Sequence, residues 1–135
     1  MIYLDTSVAV AHLLGETRVP PASLWQESLV SSRLLEYEMW TRVNARGLAR
    51  SHGDEVRGLL GAVALLELSP LVLARAVEAF PVPVRTLDAL HLASMLFLRD
   101  RGEPITLASY DARLSHAAHA LGVAQTSLTA GGSRS

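Results

Sequence analysis

Short apolar segments alternate with segments of helical pattern along the whole chain, and this alternation limits the fold more than any other feature. Apolar runs that end abruptly predict strands over 2–4, 29–32, 82–85, 105–108 and 123–126. Helices are predicted between them, over 8–14, 22–27, 34–50, 54–66, 71–80, 87–99 and 111–121. Strands separated by helices indicate an α/β fold, in which a parallel sheet is covered by helices on both faces.

The length of 135 residues allows one domain with a single buried core. We predict that this domain spans 1–128 and that 129–135 form a flexible tail rich in glycine and serine. No apolar run reaches the ~18 residues of a membrane span, so no membrane partner is expected. Because the first residues lack the basic and apolar regions of a signal peptide, we expect a cytoplasmic protein. Any metal must be held by oxygen or imidazole ligands, since the chain has no cysteine.

Four acidic residues lie where a predicted strand passes into a helix, or one turn into that helix: Asp5, Glu38, Asp88 and Asp111. The carboxyl ends of parallel strands share one edge of the sheet, where ligands bind, so these carboxylates are expected to meet in one crevice. Like charges repel, and a hard cation such as Mg²⁺ or Mn²⁺ would compensate them. The alternative role for each aspartate is helix capping. Thr86 and Ser109 are the better predicted caps for the two later helices, which would leave Asp88 and Asp111 free.

Only one of two glutamates in the predicted helix over 34–50 can belong to this crevice. Positions two apart on a helix point roughly 160° away from each other, so Glu36 and Glu38 face different ways. The predicted core stripe of the helix consists of Leu34, Tyr37, Ala45 and Leu48. Glu38 lies at the margin of that stripe, where its side chain could reach the sheet edge. We therefore predict Glu38, rather than Glu36, as the site residue.

Arginine supplies all 12 of the positively charged side chains, and three of them follow Glu38 at steps of four residues: Arg42, Arg46 and Arg50. Such a stripe is either a solvated helix face with ordinary ion pairs or a set of phosphate contacts beside the crevice. The net charge is −1. If metal compensates four carboxylates, nine remain against 12 arginines, and the net charge becomes +3. That charge would allow weak attraction of phosphates, and Arg42 and Arg46 are the predicted contacts.

Several other kinds of site are excluded or disfavoured. The absence of lysine excludes P-loop nucleotide binding. A phosphatase of the haloacid dehalogenase type needs that lysine too, and a second aspartate two residues after the first, where this chain has Ser7. His91 lies one turn beyond Asp88 on the same helical face, and we predict a hydrogen-bonded core residue rather than a ligand. No close pair of histidines has a third ligand at zinc-site spacing.

Four segments, taken together and in order, resemble the PIN-domain ribonucleases of the VapC toxin type: 3–7, 32–38, 85–93 and 109–114. The resemblance covers nearly the whole chain and implies a PIN-like three-layer αβα sandwich with a mostly parallel central sheet. It implies that Asp5, Glu38, Asp88 and Asp111 are the catalytic acidic quartet. Within that quartet, Asp5, Asp88 and Asp111 are the expected ligands of Mg²⁺ or Mn²⁺, and Glu38 is a ligand or the general base. Thr6 and Ser109 match hydroxyl positions that support the ligands.

The same resemblance implies metal-dependent hydrolysis of RNA, with tRNA or another structured RNA as substrate, and a VapB-like antitoxin as partner. A homodimer is also expected. We predict its interface on the second apolar side of the 34–50 helix, formed by Met39, Trp40 and Val43 with Trp25 nearby. Two alternatives stay open: a PIN nuclease of RNA processing that is not a toxin, and a non-catalytic α/β binding module. A binding module would have no affinity for metal, and a Mn²⁺ titration measures that affinity.

Overall fold

The computed structural model describes residues 1–129, in which five strands alternate with six α-helices and one short 3₁₀ helix, Ala22–Gln26. The strands are β1 (Ile2–Leu4), β2 (Leu29–Ser32), β3 (Ala64–Leu66), β4 (Thr106–Ala108) and β5 (Ala124–Gln125). The helices are α1 (Thr6–Leu14), α2 (Leu34–Ala45), α3 (Ala49–Gly61), α4 (Pro70–Ala76), α5 (Thr86–Asp100) and α6 (Ala112–Ala120). All neighbouring strands pair in parallel, which confirms the predicted α/β class.

The strand order β3-β2-β1-β4-β5 places β1 at the centre of the sheet. From β1 the chain proceeds outward to β2 and β3, and it then returns to the other side of β1 to form β4 and β5. The neighbours β1 and β4 therefore form the switch point of the sheet, where a crevice opens at the carboxyl ends of the strands. The N–H of Asp5 donates to the carbonyl of Ala108 over 3.0 Å. The segments that follow β1 and β4 thus begin side by side.

Alternate residues of β1 point to two separate cores, one on each face of the sheet. Ile2 and Leu4 pack in the core that α1, α2 and α3 cover. Tyr3 packs in the core that α5 and α6 cover. The molecule is therefore a three-layer αβα sandwich, as predicted, and its central sheet is wholly parallel among the described strands.

One of the five predicted strands, over 82–85, is wrong, although the number of strands is right. Residues 82–85 form no strand, because Pro81 and Pro83 lack the N–H that a ladder requires. The strand is β3, in a stretch predicted as the end of a helix. Its register pairs Val30 of β2 with Ala64 and Ser32 with Leu66. Pairing with β2 outweighs the helical preference of this alanine- and leucine-rich stretch.

Helix α2 ends at Ala45, five residues before the predicted end at Arg50. Gly47 adopts a φ of 68°, a left-handed conformation that residues with a side chain rarely take, and the chain turns there. Helix α3 then begins at Ala49 instead of the predicted Asp54. Arg50 therefore belongs to α3, and the arginine stripe predicted on one long helix is divided between two helices.

The predicted faces of α2 are also wrong, and with them the predicted dimer interface. Met39 and Val43 are completely buried in the core under α2, whereas Tyr37 of the predicted core stripe is 63% exposed. Trp40 and Trp25 are partly buried against the same core. Leu35, Met39 and Val43 repeat every four residues and form the true core stripe. The side that we expected to be a surplus apolar surface is the one that anchors α2 to the sheet.

No helix within residues 1–129 is long and apolar enough to cross a membrane. The prediction of a flexible tail over 129–135 falls outside the described residues, except for Thr129. The proposed domain boundary at 128 stays a prediction.

Candidate active site

The four predicted acidic residues line one cavity of about 440 Å³ at the carboxyl ends of β1 and β4. Asp5 directly follows β1, and Asp111 directly precedes α6, three residues after β4 ends. Glu38 projects from the second turn of α2 and Asp88 from the first turn of α5. The cavity is also lined by Thr6, Ser7, Arg42, Arg85 and His91, among others. Carboxylates from four separate parts of the chain thus face the same space, as the positions of the strand ends predict.

Two hydroxyl groups hold the carboxylate of Asp5. Ser7 Oγ donates to Asp5 Oδ2 over 2.6 Å, and Ser109 Oγ donates to the same oxygen over 2.8 Å. Neither hydroxyl binds Oδ1. Although Asp5 occupies the N-cap position of α1, its side chain makes no capping hydrogen bond, so the capping alternative is wrong for this residue. Asp5 is only 6% exposed, and its orientation is set by its neighbours.

Ser7 is a site residue that the sequence analysis missed. Its hydroxyl accepts a hydrogen bond from the N–H of Tyr110 over 2.9 Å while it donates to Asp5. It therefore connects the segment after β1 with the segment after β4. An aspartate followed two residues later by serine, directly after a strand, was the available signal. A hydroxyl at that position can reach back to the carboxylate.

Glu38 is held by a hydrogen-bonded chain of buried and half-buried side chains. Its Oε1 accepts from Thr6 Oγ1 over 2.8 Å and lies 2.7 Å from His91 Nε2. The other ring nitrogen of His91, Nδ1, lies 2.8 Å from the hydroxyl of Tyr3. His91 is buried, as predicted, but it also contacts a site residue, which the prediction of a core histidine did not include. Glu36 lies outside the cavity and forms an ion pair with Arg33 at 3.3 Å.

The charges of Glu38 and His91 stabilise each other. Burial alone would raise the pKa of Glu38, but hydrogen bonds and charge from His91, the Thr6 hydroxyl and the charge of Arg42 outweigh it and lower the pKa. Burial alone would lower the pKa of His91, but Glu38, with help from Asp5 and Asp88, raises it. The carboxylate of Glu38 accepts hydrogen bonds only, so His91 Nε2 carries the proton between them.

Arg85 lies between two of the predicted metal ligands. Its Nε is 3.5 Å from Asp88 Oδ2, and one of its terminal nitrogens is 3.8 Å from Asp111 Oδ2. The side chain of Arg85 is 62% exposed, so it reaches these carboxylates from the solvent side of the cavity. The position between Asp88 and Asp111 therefore accommodates a positive charge.

Asp111 is a helix cap as well as a cavity residue, contrary to the prediction that Ser109 caps α6. Asp111 Oδ1 accepts from the N–H groups of Arg113 at 2.9 Å and Leu114 at 3.2 Å. Ser109 instead accepts from the N–H of Asp111 and donates to Asp5. The prediction that Thr86 caps α5 is also wrong, because no side chain caps that helix. Asp88 is free of a capping bond, whereas Asp111 has only Oδ2 left for a ligand.

The double role of Asp111 has a measurable consequence. Asn retains the side-chain oxygen that caps a helix, whereas Ala removes it, at a cost of about 1 kcal/mol. We expect Asp111→Asn to melt close to wild type and Asp111→Ala to melt several degrees lower. Thermal melts in EDTA, monitored by circular dichroism, separate the two roles. Equal melting temperatures for the two variants would contradict the capping role.

Of the two arginines predicted to contact phosphates, Arg42 lines the acidic cavity and Arg46 does not. Arg46 forms an exposed ion pair with Glu16 at 3.6 Å. Arg42 lies one helical turn after Glu38 on α2, with its side chain exposed at the cavity. It is therefore the one of the two whose guanidinium group is close to the carboxylates.

The residues of the cavity fit a hard divalent cation bound partly through water. Its carboxylates and hydroxyls are oxygen donors, which Mg²⁺ and Mn²⁺ prefer. Within residues 1–129, however, no three Asp, Glu or His side chains are close enough together to hold one ion directly. Mg²⁺ usually keeps several waters and takes one or two carboxylates from the protein, so a looser group of four is suitable.

Comparison with known proteins shows the family to which the chain belongs. The chain belongs to the PIN-domain family, whose model matches residues 2–120. It is 31% identical over 121 residues to Ribonuclease VapC47 of Mycobacterium tuberculosis (strain CDC 1551 / Oshkosh), a match that covers 84% of this chain and 87% of that protein. Its fold matches the crystal structure of Mycobacterium tuberculosis VapC20, a sarcin–ricin loop cleaving toxin, with a TM-score of 0.67. That match covers 87% of this chain and 95% of the other, at 22% identity.

Within the PIN-domain family, the chain is therefore a VapC-type ribonuclease, which confirms the resemblance seen in the four sequence segments. The likeness to VapC20 supports the fold only, because few residues are identical. The catalytic roles of Asp5, Glu38, Asp88 and Asp111 stay a prediction, and the structure shows only that the four residues line one cavity.

Proposed function

We propose that this protein is a Mg²⁺- or Mn²⁺-dependent endoribonuclease and the toxin of a VapBC-type toxin–antitoxin system. The observation that carries the proposal is the convergence of Asp5, Glu38, Asp88 and Asp111 on one cavity at the switch point of the sheet. Such a concentration of carboxylates does not stabilise a fold, and it suits a site that binds a divalent cation. Membership of the VapC-type ribonucleases supports RNA as the substrate.

In the proposed reaction, water attacks the scissile phosphorus and the bond to the 3′ oxygen breaks. The products are a 3′-hydroxyl and a 5′-phosphate, and the 2′-hydroxyl takes no part. Bound Mg²⁺ or Mn²⁺ supplies Lewis acidity to the phosphate. Asp5 and Asp88 would hold the ion, and Asp111 would either help to hold it through water or orient the attacking water. Ser109 supports Asp5 through its hydroxyl.

Glu38 is either a ligand or the general base, and its surroundings favour the ligand role. Thr6 and His91 both donate to one of its oxygens, Oε1, and the pKa of Glu38 is lowered. A carboxylate with a lowered pKa is ionised at neutral pH but is a weaker proton acceptor. Such a group is better suited to binding a cation than to removing a proton from water.

Replacing Glu38 and Glu36 one at a time shows which of the two glutamates contributes to RNA cleavage. We expect Glu38→Gln to reduce kcat/KM on the order of a hundredfold, because a charged group of the cavity becomes neutral. Glu36→Gln is the matched control, on the same helix and outside the cavity, and it should cleave like wild type. A larger loss for Glu36→Gln would show that the cavity described here is not the catalytic site.

The nuclease activity itself is tested by incubating the purified protein with RNA in Mg²⁺, in Mn²⁺ and in EDTA. We expect cleavage with either metal and none in EDTA. Analysis of the new ends should find 5′-phosphates and 3′-hydroxyls. Cleavage that persists in EDTA, or ends that carry a 2′,3′-cyclic phosphate, would contradict a metal-dependent hydrolysis.

We also propose a VapB-like antitoxin as a partner, at a surface other than the side of α2 that was predicted as an interface. Several large apolar side chains are exposed on α4, just after it and at the start of α5, where Leu71 is 65% and Val77 86% exposed. A groove of about 710 Å³ there is lined by Val77, Phe80 and Val84 among others. It continues to Arg85 and Thr86, which also line the acidic cavity. An antitoxin segment in this groove could place a basic side chain against Asp88, where Arg85 lies now.

Separate experiments test the toxin role and the oligomeric state. Expression of this protein should arrest growth, and co-expression of a VapB-like antitoxin encoded beside it should relieve the arrest and yield a complex. Unimpaired growth with active enzyme present would favour an RNA-processing nuclease. Sedimentation at micromolar concentration tests the proposed homodimer.

A further inference from the structure

A second cavity, of about 460 Å³, adjoins the acidic cavity and shares Ser7 and Arg42 with it. It is also lined by Arg18, from the segment between α1 and the 3₁₀ helix, and by Tyr110, from the segment after β4. Its volume lies in the range of small-molecule sites. The two cavities together form one cleft, along which a chain that passes the carboxylates would continue.

The Arg18 guanidinium group lies over the Tyr110 ring, 4.7 Å from the ring centre. One of its nitrogens also donates to the carbonyl of Tyr110 over 3.3 Å. The ring is partly exposed, and its inner side packs on the core under α2. Because the guanidinium group covers one face of the ring, the pair presents the exposed Arg18 guanidinium, backed by the Tyr110 ring, at the wall of the cleft.

The position of this pair is fixed relative to the catalytic carboxylates. The N–H of Tyr110 donates to Ser7 Oγ, and the same hydroxyl donates to Asp5. Tyr110 also lies between Ser109, which binds Asp5, and Asp111, which lines the acidic cavity. A single serine thus separates the aromatic residue from the carboxylate on which the proposed chemistry depends.

The second cavity also differs from the first in charge. It is lined by Arg18 and Arg42, and its one carboxylate, that of Glu16, forms an ion pair with Arg46. A polyanion is therefore attracted to this side of the cleft, whereas the carboxylate side repels it until a cation is bound. Nucleobases stack on aromatic rings and on arginine planes, and arginines bind the phosphates between them.

We propose that Arg18 and Tyr110 form a stacking subsite for the base of a nucleotide next to the scissile phosphate, with Arg42 contacting the phosphate between the two cavities. The proposal rests on the ribonuclease function proposed above. A base paired within a duplex has both faces covered, so the subsite selects single-stranded or looped RNA over duplex RNA.

The experiment measures binding, so that it does not depend on cleavage. The probe is a single-stranded RNA of about 12 nucleotides, with the fluorescent base 2-aminopurine placed at one position at a time. The protein is the Asp5→Asn variant, which we expect not to cleave the probe. Stacking should quench 2-aminopurine at one or two adjacent positions only, and annealing the probe to its complement should abolish the quenching. Equal or absent quenching at every position would overturn the proposal.

Three substitutions in this Asp5→Asn background test whether the Tyr110 ring is part of the stacking subsite. Tyr110→Leu should raise Kd on the order of tenfold, and Tyr110→Phe, which keeps the ring, should stay within about twofold. Tyr37→Leu is the matched control, since Tyr37 is 63% exposed and lines neither cavity. Equal binding by Tyr110→Leu and Tyr110→Phe, with both proteins folded, would overturn the proposal.

An abasic probe separates stacking from a structural role of Tyr110 and needs no variant that might unfold. Removal of the base at the quenched position should weaken binding on the order of tenfold, and should make the Tyr110→Leu and Tyr110→Phe proteins bind equally. A Tyr110→Leu defect of the same size on the abasic probe would overturn the proposal. If no RNA is cleaved by the wild-type protein with metal, the ribonuclease function fails, whereas position-specific quenching would still support the subsite.

Discussion

Asp5→Asn should abolish RNA cleavage, with a loss on the order of a thousandfold in kcat/KM, and should leave the protein folded. Asp5 is firmly held in the cavity, because Ser7 and Ser109 both donate to its Oδ2. Asn keeps the shape and one oxygen for these hydroxyls but removes the negative charge that a cation needs. The loss is measured by single-turnover cleavage in Mg²⁺ and in Mn²⁺.

The stability of the same variant distinguishes a functional carboxylate from a structural one. Because Asp5, Glu38, Asp88 and Asp111 line one cavity, removal of one charge relieves repulsion in the metal-free protein. We expect the melting temperature of Asp5→Asn in EDTA to equal or exceed that of wild type. Asp100→Asn, an exposed aspartate at the end of α5, is the matched control and should change neither property. Cleavage at the wild-type rate by folded Asp5→Asn would refute the assignment.

The elements that were predicted well are those whose burial can be recognised from neighbouring residues in the sequence. Ile2–Leu4 and Thr106–Ala108 are largely buried strands followed by polar residues, and their apolar runs end where the strands end. The carboxylates that follow such strands meet because the carboxyl ends of parallel strands share one edge of the sheet. Asp5 and Asp111 could thus be placed before the strand order was known.

The parts that sequence could not predict depend on partners that are distant in the chain. The Ala64–Leu66 segment has the composition of a helix and becomes β3 only because β2 supplies a ladder for it. Two apolar stripes on α2 were candidates for the core, and the sequence did not distinguish Tyr37 from Met39. Glu38 was correctly predicted to face the cavity, although the prediction assigned the faces of α2 wrongly. It lies beside the true stripe, three residues after Leu35.

The hydrogen-bond network of the site could not be predicted from the sequence either. Tyr3, Glu38 and His91 lie on three different elements, and no local pattern indicates that they touch. Burial of His91 could be predicted from the apolar helix that carries it. The partner that satisfies its buried nitrogen depends on how α2 and α5 approach each other at the end of the sheet.

His91 should be a positioning residue for Glu38, and its replacement is the second large effect that we expect. Its Nε2 lies 2.7 Å from Glu38 Oε1, and its Nδ1 lies 2.8 Å from the Tyr3 hydroxyl, so both ring nitrogens are fixed. His91→Ala removes this support and should lower kcat between about tenfold and a hundredfold, with KM nearly unchanged. Thr6 alone would then hold the Glu38 carboxylate.

The conservative variant His91→Gln separates this role from a general loss of stability. The amide nitrogen of Gln can donate to Glu38 from a similar distance, so we expect it to recover much of the kcat that His91→Ala loses. Tyr3→Phe removes the hydroxyl at the other end of the chain and should have an effect of intermediate size. His119→Gln, at an exposed position on α6, is the matched control. If His91→Ala is folded but changes KM instead of kcat, or if His91→Gln recovers nothing, His91 does not act through the orientation of Glu38.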